Sequence, residues 1–375
     1  MHEDIIADLL AEKGIDLVAS LPCDRAGDLC FLLTERFQTV GLMREEDGVG
    51  VSAGAVLAGK RPVVVIQSSG LGNMLNAILS LTVTFGLPLP ILASWRGVYR
   101  EKIPAQIPFN TRLPAILEAS GIPYTVVQDA GEIGKIGAVI DDAFLHSRPH
   151  VALISPKVWE GGRCEVCRDL PPRPCRHRVV VGERPLPAPV TERLGAIRAI
   201  VPHLGAAAIV CNIGVPSKEL YAAGDRPLTF YMLGSYTQAS AIGLGLALST
   251  ERRVVVIDGD GSLLGSSILP VIAASAPKNL TVVCLDNGAF GSTGNQPTCA
   301  CTGADLEVAA IAAGIPRTCT VADEGAIAAA LDDPSPGPAF VRVLIRPGNA
   351  DVPNIPLSPA EIRDRFMAAV KERSV

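Results

Sequence analysis

The chain has 375 residues, enough for two domains of about 150 to 190 residues that each bury a core. Its 48% hydrophobic and 4% aromatic residues, with 36 glycines, are typical of buried parallel sheets covered by alanine-rich helices. A net charge of −5 without a basic stripe argues against nucleic-acid binding. No apolar run reaches the ~18 residues of a membrane span, and the acidic start is no signal peptide, so we expect a cytoplasmic protein.

In the first half of the chain, polar residues follow apolar strand segments. Cys23 and Asp24 lie in the first strand-to-helix loop, after Pro22. An acidic stretch begins at Glu45 and either opens a helix or forms a solvated turn. Further on, the segment Gln67 to Asn76 contains glycines. Glycines of this kind are typical of the start of a helix where a ligand comes close to the backbone.

A cysteine-containing connector separates the two halves. We place a first domain at 1–163, a connector rich in proline and arginine at 164–188, and a second domain at 189–375. A linker with reduced thiols in a reducing cytosol explains its cysteines, and Zn²⁺ binding is the alternative hypothesis. The residues whose spacing would suit Zn²⁺ are Cys164, Cys167, Cys175 and His177.

The most informative segment is 258–296. A β-branched run, Val254 to Ile257, predicts a buried strand, the glycines around Asp260 allow a tight turn, and 262–276 predicts a helix whose first amides face an anion. A second strand, Leu280 to Leu285, then leads to Asn287. The 27 residues from Asp260 to Asn287 make about one strand-helix-strand unit, so a carboxylate and a carboxamide converge. Such hard oxygen ligands suit Mg²⁺ with a substrate phosphate, whereas an ordinary glycine turn is the alternative.

The first half repeats the second at a constant offset of 191 residues. Pro62 to Gly70 lies against Arg253 to Gly261, and Gly14 to Val18 lies against Gly205 to Ile209. The repeat predicts two doubly wound α/β domains of like topology.

These motifs resemble those of the thiamine-diphosphate (ThDP) enzymes, which carry Gly-Asp-Gly followed by Asn and consist of a pyrimidine-binding and a diphosphate-binding domain. The resemblance implies Mg²⁺ held by Asp260, Asn287 and the carbonyl of Ala289. It also implies an activating Glu nine residues before a glycine, which is Glu45 before Gly54 rather than Glu46. The remaining cofactor-binding residues that it implies are Ser69, Gly70, Gly72, Asn73, Gly234, Ser235, Tyr236, Gly259, Gly261, Ser262 and Phe290. Tyr236 would be the bulky wedge under the cofactor.

Most simple ThDP decarboxylases carry a third, middle domain, for which this chain has no room. The chain resembles the two-domain sulfopyruvate and phosphonopyruvate decarboxylases. Shared segments include Ser94 to Gln106 and Pro347 to Asn354. The resemblance implies a small anionic 2-oxoacid substrate and a homodimer or homotetramer with the cofactor at the subunit interface. Candidates for contact with the substrate are Cys23, Asp24, Arg96, Arg100 and Lys102. A carboligase, an oxidoreductase component and a non-catalytic module are the alternatives.

Overall fold

The computed structural model describes residues 1–160 and 185–372. The chain forms two compact units, Met1–Pro172 and Arg173–Val375. Each unit contains a six-stranded parallel sheet with helices between successive strands. This is the predicted architecture of two doubly wound α/β domains. The cysteine and histidine candidates for zinc (164, 167, 175 and 177) lie outside the described residues, so that hypothesis stays a prediction.

The first unit has the strand order β2-β1-β3-β4-β6-β5. Its strands are β1 (Leu17–Ser20), β2 (Gln38–Gly41), β3 (Pro62–Gln67), β4 (Leu89–Ser94), β5 (Tyr124–Val127) and β6 (Pro149–Ile154). Its helices are α1 (His2–Glu12), α2 (Gly27–Arg36), α3 (Glu45–Leu57), α4 (Leu71–Ala77), α5 (Ile107–Asn110), α6 (Leu113–Ala119) and α7 (Lys135–His146). The central strands β1 and β4 are buried along their whole length, as expected where helices cover both faces of a sheet.

The second unit has a main sheet and a small hairpin. The strands of the sheet are β7 (Ala208–Cys211), β8 (Thr229–Tyr231), β9 (Val254–Gly259), β10 (Leu280–Asp286), β13 (Arg317–Val321) and β14 (Ala339–Leu344). The hairpin pairs β11 (Ala289–Phe290) with β12 (Gln296–Pro297). The helices are α8 (Arg193–Ile200), α9 (Val215–Ala223), α10 (Ala239–Ala247), α11 (Asp260–Leu264), α12 (Ile268–Ser275), α13 (Cys299–Thr302), α14 (Leu306–Ala313), α15 (Glu324–Asp332) and α16 (Pro359–Lys371).

The two sheets have the same topology, which confirms the predicted repeat. The second sheet runs β8-β7-β9-β10-β14-β13, in one-to-one correspondence with the first. Strand β7 lies 191 residues after β1 at both of its ends. The repeated sequence pattern therefore encodes a repeated strand order.

Register brings the ends of neighbouring strands together. In the second sheet Gly259 of β9 pairs with Leu285 of β10, so the residues that follow each strand emerge side by side. In the first sheet Gln67 of β3 pairs with Ser94 of β4. Because parallel strands present their carboxyl ends at one edge, both sheets collect loop residues there.

The prediction of a single helix over 262–276 is wrong, because the structure has two short helices, α11 and α12, in its place. The break falls after Gly265. A Cβ at that position would lie 2.7 Å from the hydroxyl oxygen of Tyr236 and 3.0 Å from the Thr237 methyl carbon. The Tyr236 side chain therefore packs close to Gly265, between the two helices.

Within the described ranges, no helix combines the length and the apolar character needed to cross a membrane. The cysteines described in these ranges are free thiols.

Close packing of α10 on β9 provides a test of the fold. A Cβ at Gly243 would overlap the Cγ2 methyl of Val256, a buried β-branched side chain that cannot swing away. We expect Gly243→Ala to lower the free energy of unfolding by about 1–3 kcal/mol through overpacking, measured by urea denaturation. Gly27→Ala is the matched control, because nothing lies within 4 Å of a Cβ there. Equal stability of the two variants would contradict the described helix-sheet packing.

Candidate active site

A cavity of about 180 Å³ opens at the carboxyl edge of the second sheet. It is lined by residues that follow β7, β9 and β10, together with the β11-β12 hairpin. Eight of the predicted cofactor-binding residues line it: Tyr236, Gly259, Asp260, Gly261, Ser262, Asn287, Ala289 and Phe290. Gly234 and Ser235 precede Tyr236 in the chain and are not among the lining residues. The tertiary structure thus brings together segments about 50 residues apart.

Asp260 is a buried carboxylate at the start of α11, with 2% of its surface exposed. Its pKa is raised from 3.8 to about 6, mainly by burial; the Thr298 hydroxyl, which donates to Oδ2, opposes the shift, and the nearby charge of Asp286 adds to it. A cation in the cavity would offset the cost of ionising such a group.

Asn287 and Ala289 supply the other predicted oxygens. Asn287 Oδ1 accepts a hydrogen bond from the Ala289 amide at 3.0 Å, which fixes the carboxamide beside the Ala289 carbonyl. Asp286 is engaged elsewhere, because Arg342 Nε donates to its Oδ2 at 2.7 Å. Asp260, Asn287 and Ala289 line the same cavity. Between them they carry a carboxylate, an amide oxygen and a backbone carbonyl, a donor set that fits Mg²⁺ bound together with a diphosphate.

The close approach of the Phe290 ring requires glycine at position 261. A Cβ there would lie 2.5 Å from the Phe290 ring, so the ring covers the start of α11 only because the side chain is missing. Nearby, the Tyr236 hydroxyl donates to the Gly261 carbonyl at 2.7 Å, and 43% of the Tyr236 side chain is exposed. Both residues on either side of Tyr236, Ser235 and Thr237, have φ of 72°, a region unusual for non-glycine residues and common at functional sites.

Sequence reasoning missed Arg193, which also lines this cavity from α8. Its Nε donates to the buried Glu219 at 2.8 Å, and its Nη2 donates to Asn349 Oδ1 at 2.6 Å. Asn349 in turn donates to the Gly291 carbonyl at 2.7 Å. This hydrogen bond connects the segment Pro347 to Asn354 to the β11-β12 hairpin. Asn349 belongs to the segment Pro347 to Asn354, which resembles the decarboxylase family. Arg193, by contrast, lies in an ordinary amphipathic helix with no motif around it.

Glu45 begins α3 in the first unit and points toward α4. Its Oε2 accepts a hydrogen bond from Asn73 Nδ2 at 3.0 Å. A Cβ at Gly70 would lie 2.6 Å from the Glu45 carboxyl carbon, so glycine there leaves room for the carboxylate. Glu46 turns aside and pairs with Arg44 at 3.1 Å. The two adjacent glutamates therefore have different surroundings.

The predicted glycine segment after β3 forms a polar network. Ser69 Oγ donates to Gln106 Oε1 at 2.5 Å and accepts from Asn110 Nδ2 at 3.0 Å. A Cβ at Gly72 would lie 3.1 Å from the Phe109 ring. These contacts hold the segment against 106–110.

The five predicted substrate residues separate into two groups. Cys23, Asp24 and Arg96 lie together: the Cys23 thiol is 3.5 Å from Asp24 Oδ1, and Arg96 Nη1 donates to the same oxygen at 2.5 Å. Arg100 instead pairs with Glu160 at 2.8 Å and is 73% exposed. Lys102 is exposed, and its backbone amide donates to Glu101.

No cluster of three or more His, Cys, Asp or Glu side chains in residues 1–160 and 185–372 is placed to hold a metal ion. The predicted magnesium site would not form such a cluster, because two of its three ligands are an amide oxygen and a backbone carbonyl.

The chain matches two family models. One is the N-terminal TPP binding domain of thiamine pyrophosphate enzymes, over residues 2–113, and the other is the C-terminal TPP binding domain, over 219–343. The benzoylformate decarboxylase structure from Polynucleobacter necessarius has a similar fold, with a TM-score of 0.72 at 14% identity over 93% of this chain and 99% of the other. These matches define the class as ThDP-binding enzymes.

Two relatives indicate which family of ThDP-binding enzymes the chain belongs to. The sulfopyruvate decarboxylase of Methanosarcina acetivorans is 47% identical, over 97% of this chain and 96% of that protein. The phosphonopyruvate decarboxylase of Streptomyces viridochromogenes is 34% identical, over 98% of this chain and 94% of that protein. The chain belongs to the family of ThDP-dependent 2-oxoacid decarboxylases.

A buried acid beside Glu45 gives a pH-dependent prediction. Burial, with repulsion from Glu46, raises the pKa of Asp47 from 3.8 to about 7, while Arg44 lowers it, and Asp47 Oδ2 has no hydrogen-bond partner within the described structure. Because the folded-state pKa is raised, the stability that this group contributes is fully present below about pH 4 and is lost as the pH rises through about 7.

Asp47→Asn should therefore be more stable than the parent at pH 8, by up to about 4 kcal/mol, and should lose that advantage by pH 4. Urea unfolding at both pH values measures the difference. Asp8→Asn, at an exposed carboxylate, is the control for the same change of residue at a site that is not buried. A constant difference between Asp47→Asn and the parent across this range would show that Asp47 ionises normally.

Proposed function

We propose that the protein decarboxylates 3-sulfopyruvate to sulfoacetaldehyde and CO₂, with ThDP held through Mg²⁺, in the pathway of coenzyme M biosynthesis. The bond between C1 and C2 of the oxoacid breaks, CO₂ leaves, and a proton replaces the carboxylate on C2. The observation that carries the choice of substrate is the 47% identity, along almost the whole chain, to a sulfopyruvate decarboxylase. The 34% identity to a phosphonopyruvate decarboxylase makes phosphonopyruvate the alternative substrate.

The residues with proposed roles come from both units. Asp260, Asn287 and the carbonyl of Ala289 would hold Mg²⁺ and, through it, the diphosphate, and Tyr236 and Phe290 border the same cavity. Glu45, kept in place by Asn73, would form the hydrogen bond to the aminopyrimidine ring that activates it. When bound, ThDP supplies the electron sink that holds the electron pair released with CO₂.

The assembly we infer is at least a homodimer, with a homotetramer as the next possibility, in which the first unit of one chain and the second unit of another enclose the cofactor. Sulfopyruvate decarboxylases of other organisms that are described as separate alpha and beta subunits support this inference. Light scattering that showed a fully active monomer would exclude it.

The test of the substrate is turnover of 3-sulfopyruvate, phosphonopyruvate and pyruvate by the protein with ThDP and Mg²⁺, followed as release of CO₂. We expect the highest kcat/KM for 3-sulfopyruvate, because an anionic tail adds a binding interaction that pyruvate lacks. A higher value for phosphonopyruvate would select the alternative, and equal values for all three would exclude recognition of the tail.

The metal clamp is tested by Asp260→Ala. Loss of the buried carboxylate should remove most of the Mg²⁺-dependent affinity for ThDP, measured by calorimetry with and without Mg²⁺. In the parent protein, ThDP at a hundredfold excess over its Kd should stabilise the fold by about 2.7 kcal/mol, and the variant should lose this gain. Asp364→Asn, at an exposed carboxylate on α16, is the control. Unchanged ThDP binding by Asp260→Ala would refute the clamp.

The activating acid is tested by Glu45→Gln with Glu46→Gln as its matched neighbour. Glutamine keeps the size of the side chain but not its charge, so ThDP should still bind while exchange of its thiazolium proton into deuterated water slows by about 10²- to 10⁴-fold. Glu46 pairs with Arg44, so its variant should exchange at nearly the parental rate. If Glu46→Gln is the slow variant, the activating residue is Glu46.

A further inference from the structure

The cluster formed by Arg96, Asp24 and Glu101 contains one guanidinium and two carboxylates. Arg96 is 3% exposed, and both carboxylates contact it: Glu101 Oε2 lies 2.7 Å from Nε, and Asp24 Oδ1 lies 2.5 Å from Nη1. The buried cation is therefore already neutralised. An anionic substrate that approached this arrangement would find no free positive charge in it.

The two carboxylates are held very differently. Glu101 has only 5% of its side chain exposed, binds Arg96 through two hydrogen bonds, and also accepts from the backbone amides of Gly97, Lys102 and Ile103. The hydrogen bonds from Arg96 are the main reason that its pKa falls to about 2. Glu101 is thus a permanent partner of the guanidinium.

Asp24 is the partner that can leave. Its side chain is 59% exposed, and it bonds Arg96 through Nη1 alone. Ion pairs with one exposed member are weak, because water solvates the released carboxylate. Arg25 Nε lies 3.8 Å from Asp24 Oδ2 and offers the released carboxylate a second partner.

Arg96 Nη1 faces the part of the sheet edge that leads to Glu45. It donates to Gln67 Oε1 at 3.1 Å, and Gln67 Nε2 donates to Ser69 Oγ at 3.1 Å. Ser69 is followed by Gly70, whose missing Cβ makes room for the Glu45 carboxylate. A ligand atom that replaced Asp24 on Nη1 would therefore lie on the same edge as the proposed activating acid.

We propose that Asp24 is an exchangeable counter-ion, which occupies Arg96 Nη1 in the absence of substrate and is displaced by the anionic tail of the oxoacid. The proposal rests on the proposed function, since it takes the tail to be a sulfonate. Asp24 then acts as a specificity-determining residue. A singly charged sulfonate replaces a singly charged carboxylate, so the charge in contact with Arg96 is unchanged. A doubly charged phosphonate would add one negative charge beside Glu101 and the displaced Asp24, and it is disfavoured.

Asp24→Asn tests the exchange, because it removes the competing charge and keeps the shape. Calorimetry would measure binding of sulfoacetate, an unreactive sulfonate, to the holoenzyme with ThDP and Mg²⁺. We expect binding about fivefold tighter than in the parent, as the fraction of enzyme with a free Nη1 rises. Asp8→Asn removes a similar exposed pair, with Arg36, and should leave the affinity unchanged. Acetate, which lacks the sulfonate, should bind both proteins alike.

Kinetics give an independent measure. Asp24→Asn should lower KM for 3-sulfopyruvate about fivefold and lower KM for phosphonopyruvate by more, while KM for pyruvate stays unchanged. Asp24→Ala, which also removes the charge, should behave in the same way. Equal or weaker sulfoacetate binding by both variants would overturn the proposal. If the parent turns over neither tailed substrate, the proposed function fails, and the calorimetric comparison still decides the role of Asp24.

Discussion

The rest of the structure depends on the register of the parallel strands. This register places the carboxyl ends of neighbouring strands at the same edge of each sheet. In the second unit, Gly259 and Leu285 pair at the ends of β9 and β10, and this pairing sets Asp260 and Asn287 on one cavity. A shift of the register by one residue would turn every side chain of the shifted strand to the opposite face of the sheet. In β9 the residues Val254 to Asp258 are all buried, as expected where helices cover both faces of the sheet.

Burial then gives the polar groups at these edges their chemical properties. The carboxyl of Asp260 is costly to ionise without a cation, whereas the carboxyl of Glu101 is ionised easily because Arg96 donates to it twice. The same chemical group, a carboxyl, thus has a raised pKa in one unit and a lowered pKa in the other. The difference lies in the neighbours of each carboxylate and not in the residue itself.

Glycines in both units leave space for a side chain from another element. Gly70 leaves room for the Glu45 carboxylate, and Gly261 leaves room for the Phe290 ring. Each glycine belongs to a motif that was visible in the sequence. The side chain that occupies the space comes from another element, 25 residues before Gly70 in one case and 29 residues after Gly261 in the other.

The sequence by itself determined the fold class, the repeat of one topology and the family, because buried strands, glycine turns and the spacing from Asp260 to Asn287 are local patterns. It did not determine that two short helices stand in place of one over 262–276, or that the Tyr236 side chain packs beside Gly265 between them. Nor did it indicate Arg193 on the cavity or the pairing of Arg96 with Glu101 and Asp24. Arg96 was expected to offer a free charge to the substrate, and only the tertiary structure decided that two carboxylates already neutralise it. Ion pairing and side-chain approach depend on distances between elements far apart in the chain, and residue order alone does not fix those distances.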